Sequence, residues 1–258
     1  MRKQMLDLTV TSNQELPSNY VLIKLTSEKT LPEILPGQFV QLRVDGTPSV
    51  FLRRPFSVNF VDKKTNELWL LIQQIGDGTR AIAQAKRGDA LNLLLPLGNS
   101  FSLPENKKDK LLLVGGGVGV APMLILGNCL KEKGYNPQFL LGGRGEQNLL
   151  LLDEFEKYGK INLSTEDGSV GERGFCIHHS ILENEQFDKI YVCGPTPMMK
   201  AVAQYAYTRK IDCEVSLENV MACGIGACLC CVTDTKEGHK CVCTDGPVFN
   251  INELKWQI

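Results

Sequence analysis

The chain has 258 residues, of which 43% are hydrophobic, and its 28 lysines and arginines nearly balance its 29 aspartates and glutamates. This length predicts two domains of ordinary size, or one large domain with an appendage. Because no basic excess is present to neutralise a phosphate backbone, the charge argues against a nucleic acid as partner.

The first part of the chain, residues 1–102, is predicted to form an antiparallel β-barrel domain. Its short apolar runs are separated by turn residues such as Pro36-Gly37, Asp45-Gly46 and Gly88-Asp89. One helical stretch is predicted, over Thr79–Ala85. Six short strands at this spacing favour a small antiparallel barrel. They are predicted over Leu6–Val10, Tyr20–Leu25, Phe39–Val44, Phe56–Phe60, Leu68–Ile72 and Leu91–Leu95.

A group of residues at one strand entry, Arg53-Arg54-Pro55-Phe56-Ser57, suits a flavin nucleotide. Arg54 can present its planar fork to a pyrophosphate, Phe56 can pack against an aromatic ring system, and Ser57 can hydrogen-bond a ring nitrogen. Gly78-Thr79 opens a helical segment whose free N–H groups offer an anion site, and together the two groups would hold one diphosphate from two sides. The alternatives are a plain strand edge and an N-capped helix, because Thr is also a common cap.

The second part, residues 103–211, is predicted to form an α/β domain that binds a nucleotide. Apolar runs alternate with segments of helix length, which indicates βαβ units around a parallel sheet. The longest apolar stretch, Leu111 to Gly127, contains five glycines and Pro122, so a soluble protein is the better interpretation than a membrane span. The alternating segments are Leu111–Val114, Pro122–Lys133, Phe139–Gly142, Leu149–Tyr158, Ile161–Thr165, Ile177–Glu183, Ile190–Cys193 and Pro197–Lys210.

Two turns of this domain are candidate nucleotide-binding turns. The first holds Gly115, Gly116, Gly117 and Gly119, but departs from G-x-G-x-x-G because Val120 stands at the third glycine position. Glycines at the carboxyl end of a strand still allow a ligand to approach closely, although a tight structural turn is the alternative. The second turn, Cys193-Gly194-Pro195, would let a nicotinamide ring stack, whereas the alternative is a small buried residue before a bend.

The third part, residues 212–258, is rich in cysteine and glycine. Cys223, Cys228 and Cys231 have the C-x4-C-x2-C spacing typical of a [2Fe–2S] cluster. Spacing alone leaves Cys241 and Cys243 as alternatives for the fourth ligand, and we favour Cys243. A zinc site is a weaker interpretation because zinc prefers C-x2-C pairs, and ordinary buried thiols are a third.

Other features of the sequence limit the remaining roles. Gly224 and Gly226 suit a loop that approaches an inorganic core closely. Seven of the ten cysteines lie within residues 213–243 and the N-terminus has no apolar signal run, so a reducing cytoplasm is expected. No catalytic side chain is predicted, because cofactors carry hydride and electron chemistry themselves. The histidines, which show no spacing to acidic partners, are assigned no role: His178, His179 and His239.

Taken in order, these motifs resemble the ferredoxin-reductase superfamily and, within it, the electron-transfer subunits of class 1B dihydroorotate dehydrogenases. The likeness spans almost the whole chain and is most specific from Ser216-Leu-Glu218 to Cys243-Thr-Asp-Gly-Pro-Val-Phe249, where it supports Cys243 as the fourth ligand. The matching segments are Arg54–Ser57, Gly78-Thr79, Gly115–Pro122, Cys193–Pro195 and Met221–Cys228.

The resemblance implies three parts: a flavin-binding barrel, an NAD-binding α/β domain and a C-terminal [2Fe–2S] domain. FAD would lie against Arg54 to Ser57, Leu71-Ile72-Gln73 and Gly78-Thr79. An FMN-containing partner subunit would oxidise dihydroorotate in pyrimidine synthesis, and this chain would pass the electrons through the cluster and FAD to NAD. Two copies of each subunit would form a heterotetramer.

The sequence departs from the superfamily pattern at two positions and allows two other functional interpretations. Phe56 stands where the superfamily often has Tyr, and Arg144 would be able to meet a 2′-phosphate, so NAD rather than NADP is an implication of the resemblance. A second interpretation is an NAD(P)H diaphorase subunit that serves a hydrogenase, a sulfide dehydrogenase or a ferredoxin. A third is a zinc-stabilised binding module without redox activity.

Overall fold

The first sheet of the computed structural model, which describes residues 2–256, is a seven-stranded antiparallel sheet. Inward-facing side chains such as Val21, Ile23 and Leu25 alternate along their strand with residues that face outward, as the two-residue period of a strand requires. The strands are β1 (Gln4–Leu16), β2 (Tyr20–Thr26), β3 (Phe39–Leu42), β4 (Arg54–Ser57), β5 (Phe60–Asp62), β6 (Glu67–Gln73) and β7 (Ala90–Leu97), with helix α1 (Asp77–Ala83) before β7.

The sheet closes into a barrel because only two residues connect its opposite edges. The strand order is β4-β3-β7-β1-β2-β6-β5, so the consecutive strands β4 and β5 form the two edges. Between them, the Val58 N–H donates to the Gln38 carbonyl at 3.0 Å and the Asn59 N–H donates to the Trp69 carbonyl at 3.0 Å. The barrel prediction is therefore confirmed, but the single strand predicted over Phe56–Phe60 is wrong, because the chain changes edges within it.

The second sheet is the parallel sheet expected from the βαβ pattern. Its strand order is β11-β10-β9-β8-β12-β13-β16, and only β16 runs antiparallel to its neighbour. Strands and helices follow as β8 (Leu111–Gly116), α2 (Ala121–Glu132), β9 (Pro137–Gly143), α3 (Leu152–Glu156), β10 (Lys160–Thr165), β11 (Glu172–Arg173), α4 (Ile181–Asn184), β12 (Lys189–Cys193), α5 (Thr196–Arg209), β13 (Asp212–Ser216), β14 (Val232–Thr235), β15 (Gly238–Cys241) and β16 (Val248–Asn250).

Two predicted helices are shorter than their sequence pattern. Helix α3 begins only at Leu152, because Leu151 has a left-handed backbone with φ of 57°. The stretch Ile177–Glu183 is divided between a 3₁₀ turn that ends at His178 and the single turn of α4. Among residues 2–256, no helix has both the length and the hydropathy needed to cross a membrane.

The cysteine-rich segment is inserted between two strands of the parallel sheet. β13 and β16 are hydrogen-bonded neighbours, and the hairpin β14–β15 and the cysteine loop lie between them in the chain. The boundaries at residues 102/103 and 211/212 stay predictions, and the sheet itself takes in two strands beyond residue 211. One apolar core joins all three parts of the chain, since a single cluster of buried side chains includes Phe39 of the barrel, Val192 of the sheet and Cys243 of the inserted segment.

Helix α2 packs so closely on the sheet that Gly127→Ala should destabilise the protein. A Cβ at Gly127 would stand 2.4 Å from Cζ of Phe139, a fully buried ring held against Phe155 at 5.0 Å between centroids. Overpacking costs about 1–3 kcal/mol, whereas alanine gains about 1 kcal/mol of helix propensity. We expect the free energy of unfolding, measured by urea denaturation, to fall by up to about 2 kcal/mol.

The matched control is Asn128→Ala at the next, half-exposed position of the same helix. It gains helix propensity without a clash, so we expect its stability to stay unchanged or to rise by a few tenths of a kcal/mol. Equal behaviour of the two variants would contradict the packing argument.

Candidate functional site

A cavity of about 710 Å³ lies between the barrel and the carboxyl ends of the parallel strands. Ligands bind at this end of open α/β sheets, so its position fits a nucleotide site. Tyr20 and Gln73 line it from the barrel. The α/β side contributes residues at or just beyond the ends of five strands, namely Gly116, Gly117, Gly142, Gly143, Glu166, Gly194, Pro195 and Glu218.

The glycines of the first predicted nucleotide-binding turn divide into two pairs. Gly116 and Gly117 line the cavity, and Gly117 has a left-handed backbone with φ of 56°. Gly115 and Gly119 instead make room for neighbouring chain: a Cβ would stand 3.0 Å from Cα of Val120 in the first case and 2.5 Å from the Cys193 carbonyl carbon in the second. Close packing of the neighbouring chain therefore accounts for glycine at positions 115 and 119, and no ligand is needed to explain it.

The second predicted turn brings a thiol and a carboxyl together beside the cavity. Cys193 is fully buried, and its Sγ lies 3.9 Å from Oε1 of Glu218. Although Glu218 is an exposed residue that lines the cavity, the surrounding protein desolvates its carboxyl and raises its pKa. Burial, together with the Glu218 charge, raises the pKa of the Cys193 thiol. The same causes raise the pKa of Tyr20. These three groups retain their protons to a higher pH where barrel and sheet meet.

The proposed anion site of the barrel forms a single group, with Arg54 lying directly against Gly78. A Cβ at Gly78 would be 2.9 Å from Nε of Arg54, so the glycine is what lets the guanidinium reach the start of α1. Arg54 donates only to the nearby carbonyls of Leu52 and Arg53, and no carboxylate among residues 2–256 pairs with it. Its positive charge is therefore available to an anionic group.

Thr79 also serves its own helix. Its hydroxyl accepts the N–H groups of Ile75 and Gly76, both at 3.0 Å, as a capping residue does. The neighbouring Arg53 is bound differently from Arg54, because its guanidinium donates to the carbonyls of Gln41 and Asn92. Arg53 therefore fastens strands of the barrel together, which leaves Arg54 as the anion-binding candidate.

One edge of β6 is open where the flavin is expected. β5 pairs with β6 only over Glu67–Trp69, so the side of β6 facing β5 has no partner strand from Leu70 onward. Leu71 and Ile72 are buried, and only their backbone is available at this edge, while Gln73 is half-buried and lines the cavity. Phe56 and Ser57 are likewise half-buried on β4.

The cysteine loop is arranged to surround a group that attracts N–H donors. Gly224 and Gly226 have left-handed backbones with φ of 69° and 84°. The Ile225 N–H donates to Sγ of Cys223 at 3.4 Å, and the Gly226 N–H donates to Sγ of Cys243 at 3.1 Å. Amides that point at sulfur in this way are suited to thiolates and to the sulfides of a cluster.

The thiols of this loop have contrasting acidities. The Ile225 N–H and the neighbouring Cys228 lower the pKa of Cys223 to about 6, whereas burial and Cys231 raise that of Cys243 to about 12. The Cys241 backbone N–H is taken by the Asp245 carboxylate, and the exposed Cys230 faces the Val220 carbonyl.

Fewer than three metal-binding side chains converge at any point in residues 2–256, so no single-metal site is assembled there. A [2Fe–2S] cluster divides four thiolates between two irons and does not require that convergence. The ten cysteines form no disulfide within the described chain.

The histidines lie outside the cavity, although two of them do have acidic neighbours. His179 Nδ1 lies 3.5 Å from Glu172 and accepts the Ile181 N–H, and His239 Nδ1 lies 2.6 Å from Asp234 on the surface. These contacts are not apparent from sequence spacing: the pairing of β14 with β15 places His239 opposite Asp234, and the chain after β11 returns His179 to Glu172.

Sequence reasoning missed Tyr20 and the role of Glu218. Tyr20 looks like any first residue of a strand, and only the packing of the α/β domain onto the barrel places it at the cavity. Glu218 stands within the segment that carries the resemblance, but nothing local indicates that its carboxyl lies beside Cys193 and lines the cavity.

Comparison with known families gives two matches. The family described as the iron-sulfur cluster binding domain of dihydroorotate dehydrogenase B matches residues 218–255. The oxidoreductase NAD-binding domain family matches residues 113–204.

Relatives of similar length share these parts. The protein is 36% identical over 260 residues to the dihydroorotate dehydrogenase B (NAD(+)) electron transfer subunit of Shouchella clausii, covering 98% of this chain and 99% of the relative. It is 39% identical over 251 residues to the subunit of the same name from Bacillus velezensis, covering 96% and 97%.

Solved structures show the same architecture. An NADH-dependent reduced ferredoxin-NADP oxidoreductase, described in connection with flavin-based electron bifurcation, superposes with a TM-score of 0.86 at 28% identity over 96% of this chain and 90% of that one. Phthalate dioxygenase reductase superposes with a TM-score of 0.68 at 17% identity over 90% and 87%, which shows the fold alone.

The raised pKa of the Glu218 carboxyl should make stability fall as pH rises. The pKa of this carboxyl is higher in the folded protein than in the unfolded chain, so the folded state binds the proton more tightly. The protein therefore loses stability as the pH rises from the pKa of the unfolded chain to the pKa of the folded protein. Glu218→Gln removes this loss. We expect the unfolding temperature of the variant, relative to the wild type, to be higher at pH 8 than at pH 5.

The control is Glu183→Gln, whose side chain is exposed. Its unfolding temperature should follow the wild type at both pH values. Parallel pH profiles for Glu218→Gln and the wild type would show that the carboxyl is not held in its neutral form.

Proposed function

This chain belongs to the family of dihydroorotate dehydrogenase B electron-transfer subunits, and we propose that it carries electrons from a dihydroorotate-oxidising partner to NAD⁺ in pyrimidine biosynthesis. It is an oxidoreductase subunit, in which [2Fe–2S] and FAD would stand between the FMN of the partner and NAD⁺. Oxidation of the substrate would take place on the partner chain.

The contact between the cysteine loop and the barrel carries this proposal. A Cβ at Gly224 would stand 2.6 Å from Cγ of Gln41, so the loop lies directly on β3. β3 is paired with β4, and Gln41 stands opposite Pro55 in the Arg54–Ser57 segment. The proposed cluster site and the proposed flavin site are thus neighbours across one pair of strands, an arrangement suited to rapid electron transfer.

Within the barrel, we assign the flavin nucleotide to the residues of β4, β6 and α1. Arg54 and Gly78 would bind the pyrophosphate, because the free guanidinium lies at the start of a helix. Phe56 and Ser57 would contact the ring system, and the open edge of β6 at Leu71–Gln73 would offer backbone groups. When bound, FAD exchanges a hydride with nicotinamide and single electrons with a cluster.

The cavity between barrel and sheet would receive the nicotinamide nucleotide. Gly116 and Gly117 allow the diphosphate to approach the backbone, and Gly194-Pro195 bounds the space where the ring would stack. Arg144 and Glu166 line the same cavity with opposite charges. The carboxylate of Glu166 disfavours a 2′-phosphate and so supports NAD over NADP.

The cluster ligands would be Cys223, Cys228, Cys231 and Cys243. The N–H of Gly226, which donates to Sγ of Cys243, supports Cys243 over Cys241.

The surface around these ligands fits a partner protein. Three apolar side chains of the same loop as the exposed Cys228 face solvent: Val220, Ile225 and Leu229, which are 81%, 46% and 64% exposed. Exposed apolar side chains grouped in this way mark an interaction site. We place the FMN-containing catalytic subunit here, with two copies of each subunit in a cytoplasmic heterotetramer.

A second candidate is an NAD(P)H diaphorase subunit that serves a hydrogenase, a sulfide dehydrogenase or a ferredoxin. The similarity to the NADH-dependent reduced ferredoxin-NADP oxidoreductase structure favours it, because that chain has the same fold at 28% identity. Barrel, nucleotide cavity and cysteine loop would serve either function equally. Only the partner distinguishes the two.

The deciding experiment combines cofactor analysis with reconstitution. Anaerobically purified protein should contain one FAD and two irons per chain. Mixed with a dihydroorotate-oxidising FMN subunit, it should form a complex of two copies of each chain by light scattering and reduce NAD⁺ with dihydroorotate. Cofactors without this coupled activity would favour the diaphorase, and a colourless protein without iron would contradict both redox functions.

Cys228→Ser should remove the cluster without removing the flavin. The thiol is exposed, so the substitution leaves the packed core unchanged, and we expect iron to be lost while NADH oxidation by an artificial acceptor at the flavin stays largely intact. Dihydroorotate-dependent NAD⁺ reduction should disappear. Cys230→Ser, two positions away, is the matched control and should keep both iron and coupled activity.

Arg54→Ala should weaken FAD retention more than folding. The variant loses a bidentate contact to the pyrophosphate, and we expect at least a tenfold increase in the dissociation constant for FAD, measured by fluorescence titration of the apoprotein. Arg43→Ala is the control, because its guanidinium is exposed and pairs with Asp45 at 2.7 Å. Unchanged flavin affinity in Arg54→Ala would remove this residue from the site.

A further inference from the structure

The side chain of Gln41 is buried with neither of its polar atoms hydrogen-bonded. It is 0% exposed, and within the described chain no partner is found for Nε2 or for Oε1. Other buried amides do better: Gln38 accepts the Leu35 N–H and donates to the Gly98 carbonyl. Buried amides in native proteins are nearly always hydrogen-bonded, so this one requires an explanation.

The fold places Gln41 against the cysteine loop. Along β3, Val40 and Leu42 face the barrel core, so the strand alternation turns Gln41 to the other face. Phe39 shares that face and packs in the same core as Cys231 and Cys243. A Cβ at Gly224, the residue after Cys223, would stand 2.9 Å from Nε2 of Gln41.

Two N–H groups of the loop next to Gly224 are engaged by sulfur. The N–H groups of Ile225 and Gly226 are already directed at the sulfurs of Cys223 and Cys243. Thiolates and inorganic sulfides accept hydrogen bonds and cannot donate them. A carboxamide beside them would therefore present its NH₂ group, and this orientation would satisfy the unpaired nitrogen.

On the premise of the proposed function, we propose that Gln41 is a positioning residue that donates a hydrogen bond from Nε2 to a sulfur of the [2Fe–2S] site. Hydrogen bonds to the sulfurs of a cluster stabilise its reduced, more negative state and raise its reduction potential. Gln41 also stands opposite Pro55 on the strand assigned to the flavin. It would thus adjust the potential of the cluster on the side that faces the flavin.

The test measures the midpoint potential of the cluster in the anaerobically purified complex with its partner, by a redox titration followed by electron paramagnetic resonance. Gln41→Met keeps the length of the side chain and removes its donors. We expect its cluster midpoint to become more negative, with two irons per chain and an unchanged FAD midpoint. Gln41→Glu replaces the donor by an acceptor and should shift the cluster midpoint further in the same direction.

The matched control is Gln138→Met on β9. Gln138 also has a buried oxygen without a partner, but it stands at the opposite end of the parallel sheet from the cavity. Its cluster midpoint should equal that of the wild type. An unchanged midpoint in Gln41→Met with full iron content would overturn the proposal.

A measurement on the wild type keeps the proposal testable if the variants fold poorly. With glutamine labelled by ¹⁵N in the side chain only, pulsed paramagnetic resonance of the reduced cluster should show a weak ¹⁵N coupling. Its absence would overturn the role of Gln41 and leave the proposed function intact. A wild-type chain without iron would instead contradict the proposed function itself.

Discussion

The packing of the C-terminal segment onto the barrel is the constraint on which the rest of the structure depends. A Cβ at Gly98 would stand 2.5 Å from Cδ of Pro247, and one at Gly37 would stand 2.8 Å from Cγ2 of Val248. The side chain of Asn99 donates to the Asp245 and Val248 carbonyls and accepts the Val248 N–H. The Asn99 backbone N–H also donates to the Gly246 carbonyl at 2.6 Å. These contacts hold the C-terminal segment against the barrel, and the placement of the cysteine loop beside β3 and the proposed flavin site on β4 depends on them.

Much of the architecture could be predicted from local sequence, because it depends on short-range patterns. Alternating and continuous apolar runs place most strands, and the C-x4-C-x2-C spacing identifies the cysteine loop. The change of edge at Val58-Asn59 could not be predicted, since it reflects closure of the whole barrel. The same holds for Gln41 and Tyr20, whose importance arises from segments distant in sequence that pack against them.

The glycine-rich turn shows why a motif alone does not define a site. All four of its predicted binding glycines suit close approach, but Gly115 and Gly119 are required by neighbouring protein backbone, whereas Gly116 and Gly117 face the cavity. Val120 occupies the third glycine position of the motif, and a valine fits there because this position does not face the cavity. Its buried side chain packs in the core and does not line the cavity.

The insertion of the cysteine-rich segment between β13 and β16 affects the rate of electron transfer. Ser216 and Val248 are register partners, so the segment leaves and re-enters the sheet at one point. A cluster module joined by a single flexible linker must diffuse between docking positions, and its electron transfer slows as solvent viscosity rises. A module held at both ends has no such search to make, so the transfer between cluster and flavin should proceed at the same rate in buffer and in concentrated sucrose.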